Sequence, residues 1–379
     1  LTDRQGIAAD AAARLNAFAA SVGQLPVMVG FDGFVDSIIS VVDKRHDAER
    51  FDAVETIAAL GEKISRAAGM SSNYELVVKL EKLGGNGPIM ANALLEAGLP
   101  VTYMGALGES EIEAVFRDFA GRCDACHSLC APGRTDALEF ADGKLMLGKY
   151  ESLKQINWQR LLDVGGESTV REVFGRAKLI STVNWTMLPY IGEIWQRLAD
   201  DVLGERDDRP LVFVDLADPE KRTSEDLKQG LSQCAAFQKN ADVILGLNLK
   251  ESSQVAAVLG VMAPGDDAGE LVAAASAIRE KLGVHCLVIH PRRGAAAARV
   301  DDGEVSTAWF DGPFVQKPKL STGAGDNFNA GFCIGSLAGM PVQQCLCVGT
   351  ATSGYYVRNA GSPTLAQLTA FCEELPSPV

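Results

Sequence analysis

Apolar residues fall along this chain in two alternating rhythms. Short apolar runs recur at 26–31, 101–107, 178–183, 211–216, 242–247 and 284–290. Each is too short for a typical helix and apolar on both sides, the mark of a strand buried on both faces. Between several of them lie longer segments with helical spacing, at 86–97, 110–121, 187–203 and 269–282. An opening helix is expected over 2–22, where Ile7, Ala11, Leu15, Phe18 and Val22 repeat every three to four positions. Strand and helix alternating in this order predict an α/β fold with a mostly parallel central sheet covered on both faces.

Two stretches break the alternation. Residues 135–149 read as a hairpin about Asp142-Gly143, with Leu138, Phe140, Leu145 and Leu147 as its apolar positions. Residues 33–45 carry Phe34, Val35, Ile38, Ile39, Val41 and Val42 and are expected to pair with it. Together, about 33–45 and 134–150 would form a small β-rich lid over the C-terminal edge of the main sheet, where open α/β sheets bind ligands. A second hairpin, about Asp302-Gly303, belongs at the end of the main sheet. Residues 51–64 read as an amphipathic helix, so the basic residues scattered through 43–83 are expected to be solvated. The expected organisation is a single domain over 1–379.

Hydrophobic residues make up 47% and charged residues 22% of the 379, enough apolar surface for a sizeable core and against disorder. The formal net charge of −14 disfavours nucleic acid or an anionic membrane as partner, because an acidic surface repels phosphate. No stretch approaches the ~18 to 20 consecutive apolar residues of a membrane span, and the start of the chain lacks a basic region leading into an apolar run. The expected location is the cytoplasm. The nine cysteines are scattered, and Cys286, Cys333, Cys345, Cys347 and Cys372 lie in apolar segments, which suits buried thiols. Cys123, Cys126 and Cys130 are spaced as in some metal sites, but no second ligand cluster completes the set. Thiols at a helix end, packed under a loop, are expected there.

The chemistry concentrates near the C-terminus, at Ser321-Thr322-Gly323-Ala324-Gly325-Asp326, a small-residue loop that runs directly into an apolar helix. Two glycines allow close backbone approach to a ligand, and unpaired N–H groups at a helix start form a nest for phosphate. A carboxylate beside an anion nest is electrostatically unfavourable unless it has a task. Accepting a proton from a hydroxyl that attacks phosphorus is such a task. The alternative is an N-terminal aspartate that does no more than cap a buried helix.

The chain resembles the ribokinase-like, or PfkB, family of carbohydrate and nucleoside kinases over roughly residues 26–371. The resemblance rests first on Thr322-Gly323-Ala324-Gly325-Asp326 with Phe328 and Ala330-Gly331-Phe332. It is carried further by Leu83-Gly84-Gly85-Asn86-Gly87, by Asn248-Leu249-Lys250-Glu251, by the Asp-Pro turn of 211–222 and by Asn359-Ala360-Gly361-Ser362-Pro363. It implies a ribokinase-like three-layer α/β/α domain and ATP-dependent phosphorylation of an alcohol group on a small carbohydrate, with sugar and nucleotide as small-molecule partners. Asp326 would be the general base, with Gly323, Ala324 and Gly325 as the nest. Asp36 would hold the sugar hydroxyls, with Asp32 as its competitor, over Gly84, Gly85 and Asn86. Asn248, Thr322, Gly294 and Asn359 would meet the nucleotide, and Glu251 would help to hold Mg²⁺. Asn-x-x-Glu standing alone is equally a helix capping box.

Departures from the family pattern accompany these matches. Leu320 stands where many relatives carry an aspartate near an activating monovalent cation, and Ile89 where an asparagine is common. The strand end Val288-Ile289-His290-Pro291-Arg292-Arg293-Gly294 lacks the Thr-x-Gly start of relatives, and its arginines are expected to be solvated. Trp185 suits either stacking on a ligand or the core. An ADP donor or a nucleoside acceptor on the same fold is the nearer rival, and a catalytically silent binding protein the more distant one. A homodimer through a lid edge is a further expectation.

Overall fold

The computed structural model describes residues 3–378. Among the described residues fourteen strands form two sheets. In chain order the first eight are β1 (Val27–Phe31), β2 (Phe34–Arg45), β3 (Phe51–Ala53), β4 (Leu76–Gly84), β5 (Val101–Ala106), β6 (Ala125–Cys130), β7 (Gly133–Phe140) and β8 (Gly143–Lys149). The rest are β9 (Leu179–Thr182), β10 (Leu211–Asp215), β11 (Asp242–Leu247), β12 (Cys286–Ile289), β13 (Gly294–Asp301) and β14 (Glu304–Asp311). The large sheet runs β14-β13-β12-β11-β10-β9-β1-β5-β6, parallel except at β13, which is antiparallel to both neighbours. The smaller sheet joins β3, β2, β7 and β8, with β4 added antiparallel along β2.

The short apolar runs became strands because both of their faces are covered. Met28, Ile180, Val212, Leu245 and Leu287 enter one buried cluster, and Val29, Leu179, Phe213, Ile244 and Val288 another on the opposite face. This period-two division gives the three layers. The second cluster includes the helices Asn86–Glu96, Ala324–Leu337 and Val342–Asn359, whose buried faces lie against the sheet that carries the site. Among the described residues no helix is long and apolar enough to cross a membrane.

Several boundaries differ from the sequence expectation. The opening helix spans Arg4–Phe18 and is followed by one turn at Val22–Gln24, while residue 2 lies outside the described residues. The segment 110–121 holds only the short helix Arg117–Arg122 after a single turn, and 187–203 divides into Ile191–Arg197 and a wider π-turn at Leu198–Val202. Residues 51–64 are not one helix: Phe51–Ala53 pairs with β2, and the helix Ile57–Arg66 begins at the Thr56 cap, whose hydroxyl accepts from Ala59 N at 3.1 Å. β4 falls in a stretch for which no strand was expected. Cys126 and Cys130 lie on edge strand β6 rather than at a helix end, and Cys123 alone follows the helix, its thiol directed at the Phe119 carbonyl. All nine cysteines are free thiols.

Candidate active site

Five adjacent parallel strands each deliver one polar residue at the C-terminal edge of the large sheet: Asp32 after β1, Asn184 after β9, Asp215 at the end of β10, Asn248 after β11 and His290 after β12. The sheet changes direction of growth at β1, whose neighbours are β5 and β9. A crevice at such a switch point is where ligands of open α/β sheets bind. The helix Ala324–Leu337 points its N-terminus at this edge. Gly323 sits before it at φ 91°, a left-handed conformation that favours glycine, and a Cβ there would meet the Tyr356 hydroxyl at 2.9 Å.

Asp326, in the first turn, is 7% exposed and accepts one hydrogen bond from Asn86 Nδ2 at 2.8 Å. Burial pushes its carboxyl up to about 7, opposed by the Asn86 bond and reinforced by the charges of Asp32 and Glu251. A base is most effective when its pKa lies near the working pH. The first-turn N–H groups have no helical partner, as at any helix start. The Ala324 N–H is the exception, since it donates to the Ser321 carbonyl at 3.2 Å, so the nest rests on the glycines rather than on Ala324.

The two aspartates left in competition by the sequence occupy different surroundings. Asp32 is fully buried: Oδ2 accepts from Asn86 N at 3.0 Å and Asn184 Nδ2 at 2.7 Å, and Oδ1 from Gly87 N at 2.7 Å. It caps the helix Asn86–Glu96 and is closed off from solvent. Burial raises its carboxyl to about 6 against the pull of these donors. Asp36, on β2, lies between Lys82 and Thr135 on the neighbouring strands. Its carboxyl is also raised by burial, with Lys82, Thr135 and Lys144 opposing. The glycines beneath these acids leave them room: a Cβ on Gly84 would lie 2.5 Å from the Asp36 carboxyl, and one on Gly85 3.2 Å from Asp32 Oδ2.

Asn248 and Glu251 form a reciprocal capping box. Asn248 Oδ1 accepts from Glu251 N at 3.0 Å, and Glu251 Oε2 from Asn248 N at 2.8 Å. Glu251 Oε1 reaches further and accepts from Asp218 N at 2.9 Å. Behind it, Asp215 accepts from Ala217 N and Asn329 Nδ2, each at 2.8 Å, and is held well above the usual carboxylate range by burial and by the charges of Glu251 and Asp326. Sequence reading passed over Asp215, Asn184 and Asn329. A carboxylate closing the apolar run of β10 was the available signal for the first; the other two are recognisable only once the strands are side by side.

A cavity of about 360 Å³ adjoins the nest. Asn248, His290, Ser321 and Gly325 border its polar end, while Phe314 and Val357 give it an apolar wall. Of the residues expected at a nucleotide, Asn248 and Gly294 line it. Thr322 instead offers its carbonyl to the Tyr356 hydroxyl at 2.9 Å, and Ser321 takes the wall position. Asn359 is exposed at the end of its helix and donates to Tyr355 O at 2.9 Å, so Ser353, Gly354 and Val357 form that wall. Arg292 borders the cavity and Arg293 lies over the Phe314 ring at 5.3 Å, and both are exposed to solvent as expected. Trp185 is a core residue, 3% exposed beneath the Arg222 guanidinium at 4.6 Å.

The model of one protein family, described as prokaryotic ketohexokinase, matches residues 3–375. A ketohexokinase of Haloferax volcanii is 29% identical over 348 residues, 91% of this chain and 90% of that protein. Among solved structures, the ribokinase of Cryptococcus neoformans in complex with ADP superposes with a TM-score of 0.62 at 18% identity, covering 91% of this chain and 99% of that one. The Arabidopsis thaliana ribokinase complexed with ribose and ATP gives 0.61 at 16% identity, covering 92% and 98%. These two establish the fold. With the family match spanning almost the whole chain, the protein belongs to the prokaryotic ketohexokinase family and is a carbohydrate kinase of ribokinase-like fold.

Proposed function

We propose that the protein transfers the terminal phosphoryl group of ATP to a hydroxyl of a ketohexose. The observation that carries this reading is Asp326, a buried carboxyl raised to about 7, held by Asn86 between the Gly84-Gly85 turn on one side and the phosphate nest and cavity on the other. The sugar would lie over Gly84 and Gly85, with Asp36 accepting from its hydroxyls and Asp326 taking the proton of the attacking one. Asp32 is read as positioning rather than touching the sugar, since it is fully buried and holds the helix that presents Asn86. The nest would stabilise charge on the phosphoryl group in flight. A ketohexose is favoured over other sugars by the family and by the activity named for the Haloferax volcanii relative.

The residues present fit Mg²⁺ held mainly by phosphates and water. Glu251, 3% exposed, keeps lone pairs beyond its two backbone bonds, and Asn248 stands beside it. Among the described residues no group of three or more His, Cys, Asp or Glu side chains is placed to grip a metal directly. Mg²⁺ suits such a site because it retains several waters. When bound, it would neutralise charge on the nucleotide phosphates.

The smaller sheet would act as the lid of the one kinase domain, excluding water from the reaction. Residues 33–45 and 134–150 supply part of it, and β3 and β4 extend it. β4 is an edge strand with Leu76, Val78 and Leu80 exposed, which supports a homodimer through the lid. Free thiols suit the reducing cytoplasm. The test is a panel of ketohexoses, aldoses and nucleosides, each offered with ATP and with ADP and read by mass spectrometry. Ketohexose phosphate formed with ATP supports the reading. Product only with ADP or only from a nucleoside overturns it, and binding without any product supports a silent protein.

A further inference from the structure

We propose that Lys82 is a sugar-contact residue, its ammonium donating to one hydroxyl of the acceptor while Asp36 accepts from a neighbouring one. The inference rests on the reading of Asp36 and the Gly84-Gly85 turn as the sugar site. Strand register sets Lys82 of β4, Asp36 of β2, Thr135 of β7 and Gly148 of β8 in one row across a single face of the smaller sheet. The next row toward the turn is Gly84, Phe34 and Gly133. The Asp36 carboxyl leans over Gly84 into the space this row leaves, since a Cβ there would lie 2.5 Å from it. At the far end of the Lys82 row the Tyr150 hydroxyl occupies the place of a Gly148 side chain. The Tyr150 ring meets Lys221, from the segment after β10, at 5.7 Å. The row therefore faces the C-terminal edge of the large sheet, the edge at which Asp326 stands.

Of the basic residues between 43 and 83, expected in solvent, only Lys63 and Lys82 are half-buried. Lys63 is engaged by Asp43. Lys82 has no ion-pair or hydrogen-bond partner among the described residues, and its ammonium keeps accessible surface. Cross-strand neighbours have Cβ atoms about 5 Å apart, so Asp36 is within its reach, yet the two act on each other through charge alone. Lys82 is the largest of the influences that oppose the effect of burial on Asp36, ahead of Thr135 and Lys144, and Lys144 is committed to Glu139 at 2.8 Å. On the other side of the row lie Leu80, Ile38, Ala137 and Met146, all apolar. A donor and an acceptor thus stand side by side, not closed on each other, next to the sugar site. An ammonium only donates and a carboxylate only accepts, whereas a hydroxyl does both. Adjacent hydroxyls of a polyol satisfy the pair together.

The experiment compares wild type with Lys82→Met, which keeps the apolar stem, and with Lys82→Arg, which restores a cationic donor. Initial rates are measured with D-fructose as a representative ketohexose, with its monodeoxy analogues and with ATP varied separately, and melting of the empty proteins checks folding. In Lys82→Met the sugar KM should rise on the order of 10- to 100-fold, as for a hydrogen bond to a charged group, with the ATP KM and kcat little changed. Lys82→Arg should recover part of the loss. Wild type should discriminate by a similar factor against the analogue that lacks the bonded hydroxyl, and Lys82→Met should no longer tell that analogue from fructose. An unchanged sugar KM in Lys82→Met, an equal rise in the ATP KM, or undiminished discrimination against every analogue overturns the proposal. A wild type that phosphorylates no ketohexose overturns the underlying sugar-site reading instead, so the two failures are distinguishable.

Discussion

Replacing Asn86 with alanine removes the one side-chain hydrogen bond that holds Asp326 below the value its burial would impose. The structure gives five influences: burial, the first in size, and the charges of Asp32 and Glu251 raise the carboxyl, while Asn86 Nδ2 at 2.8 Å and a hydrogen bond to its own backbone lower it, with a net value of about 7. A hydrogen bond to a charged group is worth about 1.5–3 kcal/mol, or about one to two pKa units. The base works only when ionised. At pH 7 the ionised fraction would fall from about one half to between about one tenth and one hundredth, a loss of roughly 5- to 50-fold in kcat. The loss should fade at higher pH, where both enzymes are ionised. Asn86 N stays in place, so the bond from Asn86 N to Asp32 survives the substitution. The assay is kcat for sugar phosphorylation from pH 5.5 to 9.5 in both proteins, and the readout is the position of the acid limb. A limb that does not move while the rate falls equally at every pH would make Asn86 a sugar contact alone and refute the coupling.

Three other outcomes are expected. Because the Asp326 carboxyl is raised from 3.8 to about 7, its contribution to stability is fully present below about pH 4 and is lost as pH rises through 7; Asp326→Asn should therefore unfold at higher urea than wild type above pH 7, by at most about 4 kcal/mol, with the gap closing toward pH 4. A pH-independent gap would contradict the buried-charge account. Gly84→Ala places a methyl 2.5 Å from the Asp36 carboxyl, and should raise the sugar KM on the order of tenfold with little change in the nucleotide KM; steady-state kinetics with each substrate varied in turn checks the split. Leu80→Glu on the exposed β4 edge should shift light-scattering mass from dimer to monomer, and a wild type that is already monomeric would remove the lid-to-lid contact.

Why some of this was legible in the sequence and some was not follows from burial. Strands β1, β5 and β9 to β12 are covered on both faces, so each is mostly apolar, and the runs stood out. β4 is exposed along most of its length and carries Lys79, Glu81 and Lys82 among its apolar residues, so neither face imposes a pattern. β6 is an edge strand built from Cys126, His127, Ser128 and Cys130, residue types that suggest chemistry sooner than a sheet. The loop at Gly323–Asp326 was legible because its whole geometry is local. Asp32, Asn184, Asp215 and His290 are separated by up to 258 positions and meet only through strand order. Their roles depend on which donors surround them: Asp32 and Asp36 look alike in the sequence, yet one is enclosed by three N–H donors and the other stands between strands of the smaller sheet.

The central claim is that Asp326 takes the proton of a sugar hydroxyl as it attacks ATP. Its most direct test is ATP-dependent phosphorylation of a ketohexose by wild type and Asp326→Asn in single-turnover mixing, with binding of both substrates measured separately. The account predicts rapid formation of the sugar phosphate by wild type, and a rate lower by at least about 10²-fold in the variant with both substrates still bound. A variant that turns over at a rate near that of wild type would contradict it.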